Sequence, residues 1–226
     1  MYKQEQCSLF VAEKLKMQIQ KEDIRRIILK IAREEFIEKG FKDTSMRTIA
    51  QKTGVGLSNI YNYFRNKDEI FREVLAPVLA VLKEITDSHN TEKNLTIDVF
   101  YSQEYLKRNI EMFVDIILKY RDELRILFFK SYGSALEDFT EEYIDENTRI
   151  GLEYLRLMKD RYPELNINIS DFFIHAMTSW WLNTIGELIM HDLSRNELER
   201  FLTDYMEYST GGWRSIMKVK KPSDSS

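Results

Sequence analysis

The sequence predicts an all-α fold, and three observations carry that expectation. Only eight glycines and three prolines are spread over 226 residues, too little punctuation for the many turns of a sheet protein. Leu, Ile, Glu, Lys, Met and Arg, which favour helix, are abundant. Apolar residues recur every three or four positions, the spacing that lines one face of a helix. Ile24, Ile27, Ile28, Ile31, Ala32, Phe36 and Ile37 make the first such stripe, ending at Gly40, which tolerates a positive φ. A short second helix is expected over residues 44–53, with Thr44 as its N-cap, Met46, Ile49 and Ala50 inward, and Gly54 as its stop. A short third helix buries Ile60 and Phe64 and groups Ser58, Asn59 and Asn62 on the other side. Asn66 with Glu69 resembles a capping box, so a long fourth helix starts near Lys67 and runs through Leu82.

The polar stretch 87–101 reads as a loop, and further helices are expected at about 102–119, 122–132, 139–160, 170–191 and 194–210. Ser194 with Glu197 forms another capping box, and Gly211 with Gly212 marks a stop or kink before Trp213. The chain accordingly divides into an N-terminal extension (1–20), a three-helix helix-turn-helix domain (21–67), a larger helical domain (68–218) and a disordered tail (219–226).

Composition excludes several classes of protein. The longest run without a charged side chain, Phe172 to Gly186, is 15 residues, short of the ~20 that a spanning helix needs, and the mean hydropathy is -0.41. No membrane partner is expected. One cysteine, Cys7, makes neither an internal disulfide nor a zinc site, and with no secretory start the expected address is the cytoplasm. The formal charge of -4 hides an asymmetry: residues 21–70 hold 11 Lys and Arg against 8 Asp and Glu. A basic front on an acidic chain suggests that the front alone meets a polyanion, with a chance fluctuation on a solvated surface as the competing reading.

Two short helices joined by a tight Gly-containing turn and braced by a preceding helix form a helix-turn-helix, a rigid core that pushes one exposed helix face into the ~12 Å major groove. Residues 40–71, GFKDTSMRTIAQKTGVGLSNIYNYFRNKDEIF, closely resemble the TetR family of bacterial transcriptional regulators. The shared elements are Gly40-Phe41, Thr44-Ser45, Ile49-Ala50, Gly54-Val55, Ile60-Tyr61, Tyr63-Phe64 and Lys67, in the family's order and spacing. The resemblance implies a DNA-binding domain fused to a helical ligand-binding and dimerisation domain, hence double-stranded DNA, a second copy of the chain and a small-molecule effector as partners. Carried over by position, Ser45 and Arg47 on the second helix, and Leu57, Ser58, Asn59, Tyr61, Asn62 and Tyr63 on the third, fall where the family contacts DNA; Lys67 falls where it grips a phosphate. The chemistry agrees: Asn pairs bidentately with adenine, Arg with guanine, and a leucine meets a thymine methyl. For Tyr61 and Tyr63 core packing is the competing reading. Gly56 stands where the family commonly has a capping Ser, and Leu57-Ser58 replaces a polar residue followed by Gly.

The larger domain is rich in aromatics and methionine. Phe113, Phe128, Tyr132 and Trp180 are the candidate lining of an apolar ligand pocket, set against the plainer reading that such residues fill a core. The helix at 171–191 is apolar nearly all round and must be covered on both faces, once by a partner chain. Catalysis finds no foothold: G-x-S-x-G, Walker and G-x-G-x-x-G motifs are all missing. His175 lies four residues after Asp171 and His191 four after Glu187, a spacing that does not make a di-metal carboxylate site. Neither metal nor cofactor is expected. The sequence thus predicts a dimeric, ligand-released DNA-binding repressor; the alternative is a helix-turn-helix protein without a small-molecule inducer, controlled by a protein partner.

Overall fold

The computed structural model describes the backbone of residues 2–220 and the side chains of residues 21–220. The expected extension at 1–20, in its side chains, and most of the expected tail at 219–226 lie outside the described residues. The described part is helical throughout, with helices α1 (Tyr2–Asp43), α2 (Met46–Thr53), α3 (Leu57–Ile60), α4 (Lys67–Ser88), α5 (Gln103–Lys119), α6 (Arg121–Phe129), α7 (Phe139–Arg161), α8 (Asp171–Met190) and α9 (Arg195–Met217). Two compact units divide the chain: one runs to Pro77 and takes in Phe129–Ala135, and the other holds Val78–Phe128 and the chain from Leu136 on.

In the first unit α1 buries Ile28, Ala32 and Phe36 on one stripe. Its helical geometry breaks at Gly40 (φ 77°, ψ 177°), where the sequence places the stop, and one more turn follows to Asp43. Only glycine suits this kink, because a Cβ there would stand 3.3 Å from both the Cβ and the carbonyl oxygen of Lys130. The Phe41 amide then donates to that same carbonyl at 2.9 Å. Phe71 from α4 meets Phe36 and Phe41 edge-on, with ring centroids 4.9 Å apart in each case. Edge-to-face pairs of this kind add about 0.5–1.5 kcal/mol beyond the area they bury. Ile49, Ile60, Phe64 and Ile70 complete the core.

The caps refine the expected boundaries. Ser45, one residue later than expected, caps α2, its hydroxyl accepting from the Thr48 amide at 3.0 Å. Thr44 is buried and donates instead to the Gly40 carbonyl at 2.7 Å. It satisfies a carbonyl at the end of one helix and leaves the orphan amides of the next to Ser45. At α4 the Asn66 side chain accepts from the Glu69 amide at 2.8 Å, while the Glu69 carboxylate reaches the Arg65 amide at 2.6 Å, one residue beyond a reciprocal box. Pro77 lies inside α4 and removes one backbone donor where the first unit ends.

In the second unit α7 packs along α8, and α5 along α9. Gly151 lets α7 and α8 approach closely, since a Cβ there would meet the Ile174 side chain at 3.1 Å. Two expectations are corrected. The loop at 87–101 contains a 3-10 turn, Ile97–Phe100, whose Val99 and Phe100 join a core of Leu155, Met158, Leu165, Ile174 and Met217. Helix α9 runs through Gly211-Gly212 without stopping, because Met217 is buried in that core and Trp213 packs edge-on against Phe173 at 5.8 Å; anchoring beyond the glycines outweighs their cost of about 1 kcal/mol each. Helix α6 ends at Phe129, within a turn of the expected end at 132. The capping box at Ser194 and Glu197 is present as expected.

Candidate nucleic-acid interface

Helix α3 is a single α-helical turn held open-faced by its neighbours. Gly56 caps it without a side-chain bond, and its carbonyl accepts from the amides of Asn59 at 2.8 Å and Ile60 at 3.0 Å. Hydrogen-bonded turns carry the same geometry on to Phe64, whose amide reaches the Ile60 carbonyl at 3.0 Å. Ile60 and Phe64 are buried, so Ser58, Asn59 and Asn62 point outward and are exposed, while Tyr61 keeps 50% of its surface. Leu57 and Tyr63 are half-buried at the edges of this face. The Asn62 amide donates to the Asn59 side-chain oxygen at 3.2 Å. Each amide retains further donor and acceptor capacity, and the pair is held in one orientation. On α2, Ser45 and Arg47 are exposed.

Two features beside this face lie outside the sequence expectation. A groove of about 420 Å³ is lined by Lys21, Glu22 and Arg25 of α1 and by Asn59, Asn62 and Tyr63. Arg25 is committed to the fold: its guanidinium donates to the Glu73 carboxylate at 2.5 Å and lies 5.2 Å over the Phe64 ring, tying α1 to α4 beside the recognition segment. Glu35 has no exposed surface and accepts from Lys39 at 2.9 Å and from Lys52, which joins α1 to α2. The Lys52 ammonium holds the Glu35 carboxyl below the usual carboxylate range against the opposing effect of burial, and Glu35 in turn raises Lys52. The signal for Glu35 is present in the sequence, since 28, 32, 35 and 36 share one helical face.

Lys67, the first residue of α4, makes its contacts within the first unit. Its ammonium donates to the carbonyls of Phe41 at 2.5 Å and Thr44 at 2.7 Å, lies 3.4 Å from that of Lys42, and stands 4.0 Å over the Phe41 ring. The side chain turns into the protein, and burial pushes its pKa down.

The four candidate pocket residues divide between the two units. Tyr132 belongs to the first unit, 67% exposed with the Lys42 ammonium 4.9 Å over its ring. In the second unit Phe113 is half-buried against Trp181 at 5.2 Å, and half-buried Phe128 lies 6.5 Å from Phe139. Trp180 is 42% exposed and packs with Tyr205 and Tyr208 at 5.3 and 5.8 Å. His175 and His191 stand beside single carboxylates, Asp145 at 3.9 Å and Glu187 at 3.2 Å. Among the described residues no three His, Cys, Asp or Glu side chains gather as a metal site, and no helix is long and apolar enough to cross a membrane.

A buried three-helix core that thrusts the polar face of a short helix outward defines a helix-turn-helix DNA-binding protein. Residues 28–74 match the family model for bacterial regulatory proteins of the tetR family. The chain is 27% identical over 136 residues to the uncharacterized HTH-type transcriptional regulator YhgD of Bacillus subtilis, covering 59% of this chain and 66% of that protein. It is 26% identical over 172 residues to YdgC, another regulator so described from the same organism, covering 72% and 84% respectively. Among solved structures it resembles NalD, the secondary repressor of the MexAB-OprM multidrug efflux pump in Pseudomonas aeruginosa, with a TM-score of 0.59 at 20% identity over 82% of this chain and 95% of that one. A regulator from Aquifex aeolicus is similar at a TM-score of 0.54 and 16% identity, over 82% and 99%. Residues 28–74 thus form a helix-turn-helix of the tetR family of bacterial regulatory proteins, a family of DNA-binding transcriptional regulators rather than enzymes.

Proposed function

We propose that this chain is a cytoplasmic, dimeric repressor that reads a palindromic operator through α3 and leaves it when a small apolar or amphipathic ligand binds the second unit. The observation that carries the DNA reading is the outward face of Ser58, Asn59, Tyr61 and Asn62, held by the buried Ile60 and Phe64. In this reading Asn59 and Asn62 read base edges, Tyr61 and Leu57 contact the groove wall and thymine methyls, and Ser45, Arg47, Ser58 and Tyr63 contact the backbone and neighbouring bases. Half-buried Phe113 and Phe128 support an apolar ligand in the second unit. The buried apolar cluster around Met158 favours the second reading, in which a protein partner takes the ligand's place.

The test uses a duplex selected by the wild-type chain from a randomised pool, with a random duplex of equal length as reference. Asn59→Ala or Asn62→Ala is expected to cost about 1–3 kcal/mol on the selected duplex and to relax preference at one position. Equal losses on both duplexes would remove these residues from base reading.

A further inference from the structure

The three protons of the Lys67 ammonium face three carbonyl oxygens, those of Phe41, Lys42 and Thr44, which close the end of α1 and lead directly into Ser45, the N-cap of α2. The charges of Asp68 and Asp43 act on this ammonium, which stands 4.0 Å over the Phe41 ring. We infer that Lys67 is a positioning residue, which pins the entrance of α2 to the first turn of α4 and thereby sets Ser45 and Arg47 relative to Asn59 and Asn62; this rests on the DNA-binding reading proposed above. Swinging the ammonium out to a phosphate would take its hydrogen bond from the carbonyl of buried Thr44 and leave the Phe41 carbonyl with the Thr44 amide at 3.3 Å. The cation also stands where the C-terminal carbonyls of α1 concentrate partial negative charge, so it is stabilised where it is.

Salt dependence separates a positioning lysine from a phosphate-binding one, since each phosphate contact contributes about 0.9 to the slope of log affinity against log salt. Two variants are titrated against the selected and random duplexes between 50 and ~200 mM salt, well below their melting temperatures, with folding checked by circular dichroism. Lys67→Met keeps the aliphatic stem and removes the donors. Lys67→Arg keeps the charge and the capacity to bind phosphate, but its planar donors do not converge on three oxygens from the same stem. The expected result is a loss of about tenfold on the selected duplex, less than twofold on the random one, and an unchanged slope, in both variants. If Lys67→Met does not fold, Lys67→Arg carries the comparison. A slope lowered by about 0.9 in Lys67→Met with wild-type behaviour in Lys67→Arg would overturn the inference in favour of a direct phosphate contact. Wild-type affinity for both duplexes in both variants would overturn it in favour of a role in stability only. Failure of the wild-type chain to select any duplex would instead remove the DNA reading itself, and the inference with it.

Discussion

A carboxylate with no exposed surface survives at Glu35 because two ammonium groups, on Lys39 and Lys52, meet it there. Its pKa in the folded protein lies below its unfolded value. Its contribution to stability is therefore complete above the ordinary carboxylate range, near pH ~4, and is lost as pH falls through the lower folded value. Glu35→Gln is expected to cost about 1–3 kcal/mol at pH 7, the range for a buried hydrogen-bonding group deprived of its partner. The gap between the two proteins should close on acidification below pH ~4, as thermal melts followed by circular dichroism would show. A gap constant down to pH ~3 would mean that the ion pairs contribute nothing. The helical period alone places Glu35 beside Phe36 on the buried stripe, but which of Glu34, Glu35 and Glu38 finds lysines depends on α2, whose Lys52 arrives from 17 residues away.

Helices α8 and α9 present a cluster of partly exposed aromatic rings. Trp180, Tyr205 and Tyr208 pack on one another, yet Trp180 remains 42% and Tyr208 70% exposed, while Phe172 at the start of α8 is 77% exposed. An apolar surface of this kind marks an association site, and the dimer proposed above would cover it. Sedimentation equilibrium at micromolar concentration is expected to show a dimer, and Tyr208→Glu, which places a charge among these rings, should weaken association by on the order of 2 kcal/mol. A wild-type monomer, with or without DNA, would remove the dimer from the proposal. These helices were legible because caps and periodicity are local: Ser194-Glu197 marks the start of α9 as its sequence says. Its end was not, since two glycines argue for a stop and only the burial of Met217 and the packing of Trp213 on Phe173 carry the helix past them.

The whole chain is organised by its crossings between units. Helix α4 gives the first unit its turns up to Pro77 and the second its remainder, and residues 129–135 return to the first unit before α7 begins in the second. The return segment is tied down: the Ala135 amide donates to the Asp68 carboxylate at 2.7 Å, and Arg72 donates to the Ala135 carbonyl at 3.0 Å. A ligand held in the second unit thus has covalent routes to the DNA-binding unit, but it shifts DNA affinity only by its differential affinity for the two states. A hundredfold release from DNA requires about 2.7 kcal/mol of coupling, and the selected duplex must then weaken ligand binding by the same factor. Calorimetric titration of a ligand identified by screening, with and without duplex, would show that difference. Equal affinities would leave control by a protein partner as the better reading.

The sequence determined what short-range physics controls. The 3.6-residue period, the glycine breaks and the polar caps are read within a few residues, so the helices, the helix-turn-helix and the outward grouping of Ser58, Asn59 and Asn62 were all visible in it. Tertiary structure decided whatever depends on partners distant in the chain. Lys67 looks like a surface cation beside a helix start until the carbonyls 23 to 26 residues earlier are placed around it. Tyr132 follows α6 in the chain, yet residues 129–135 belong to the first unit and the rest of α6 to the second. Val99 and Phe100 sit in a polar stretch whose loop character is local, and their burial is set by a core assembled from α7, α8 and α9. A side chain's type limits the interactions it can make, but its surroundings choose among them, and those surroundings exist only once distant segments have packed together.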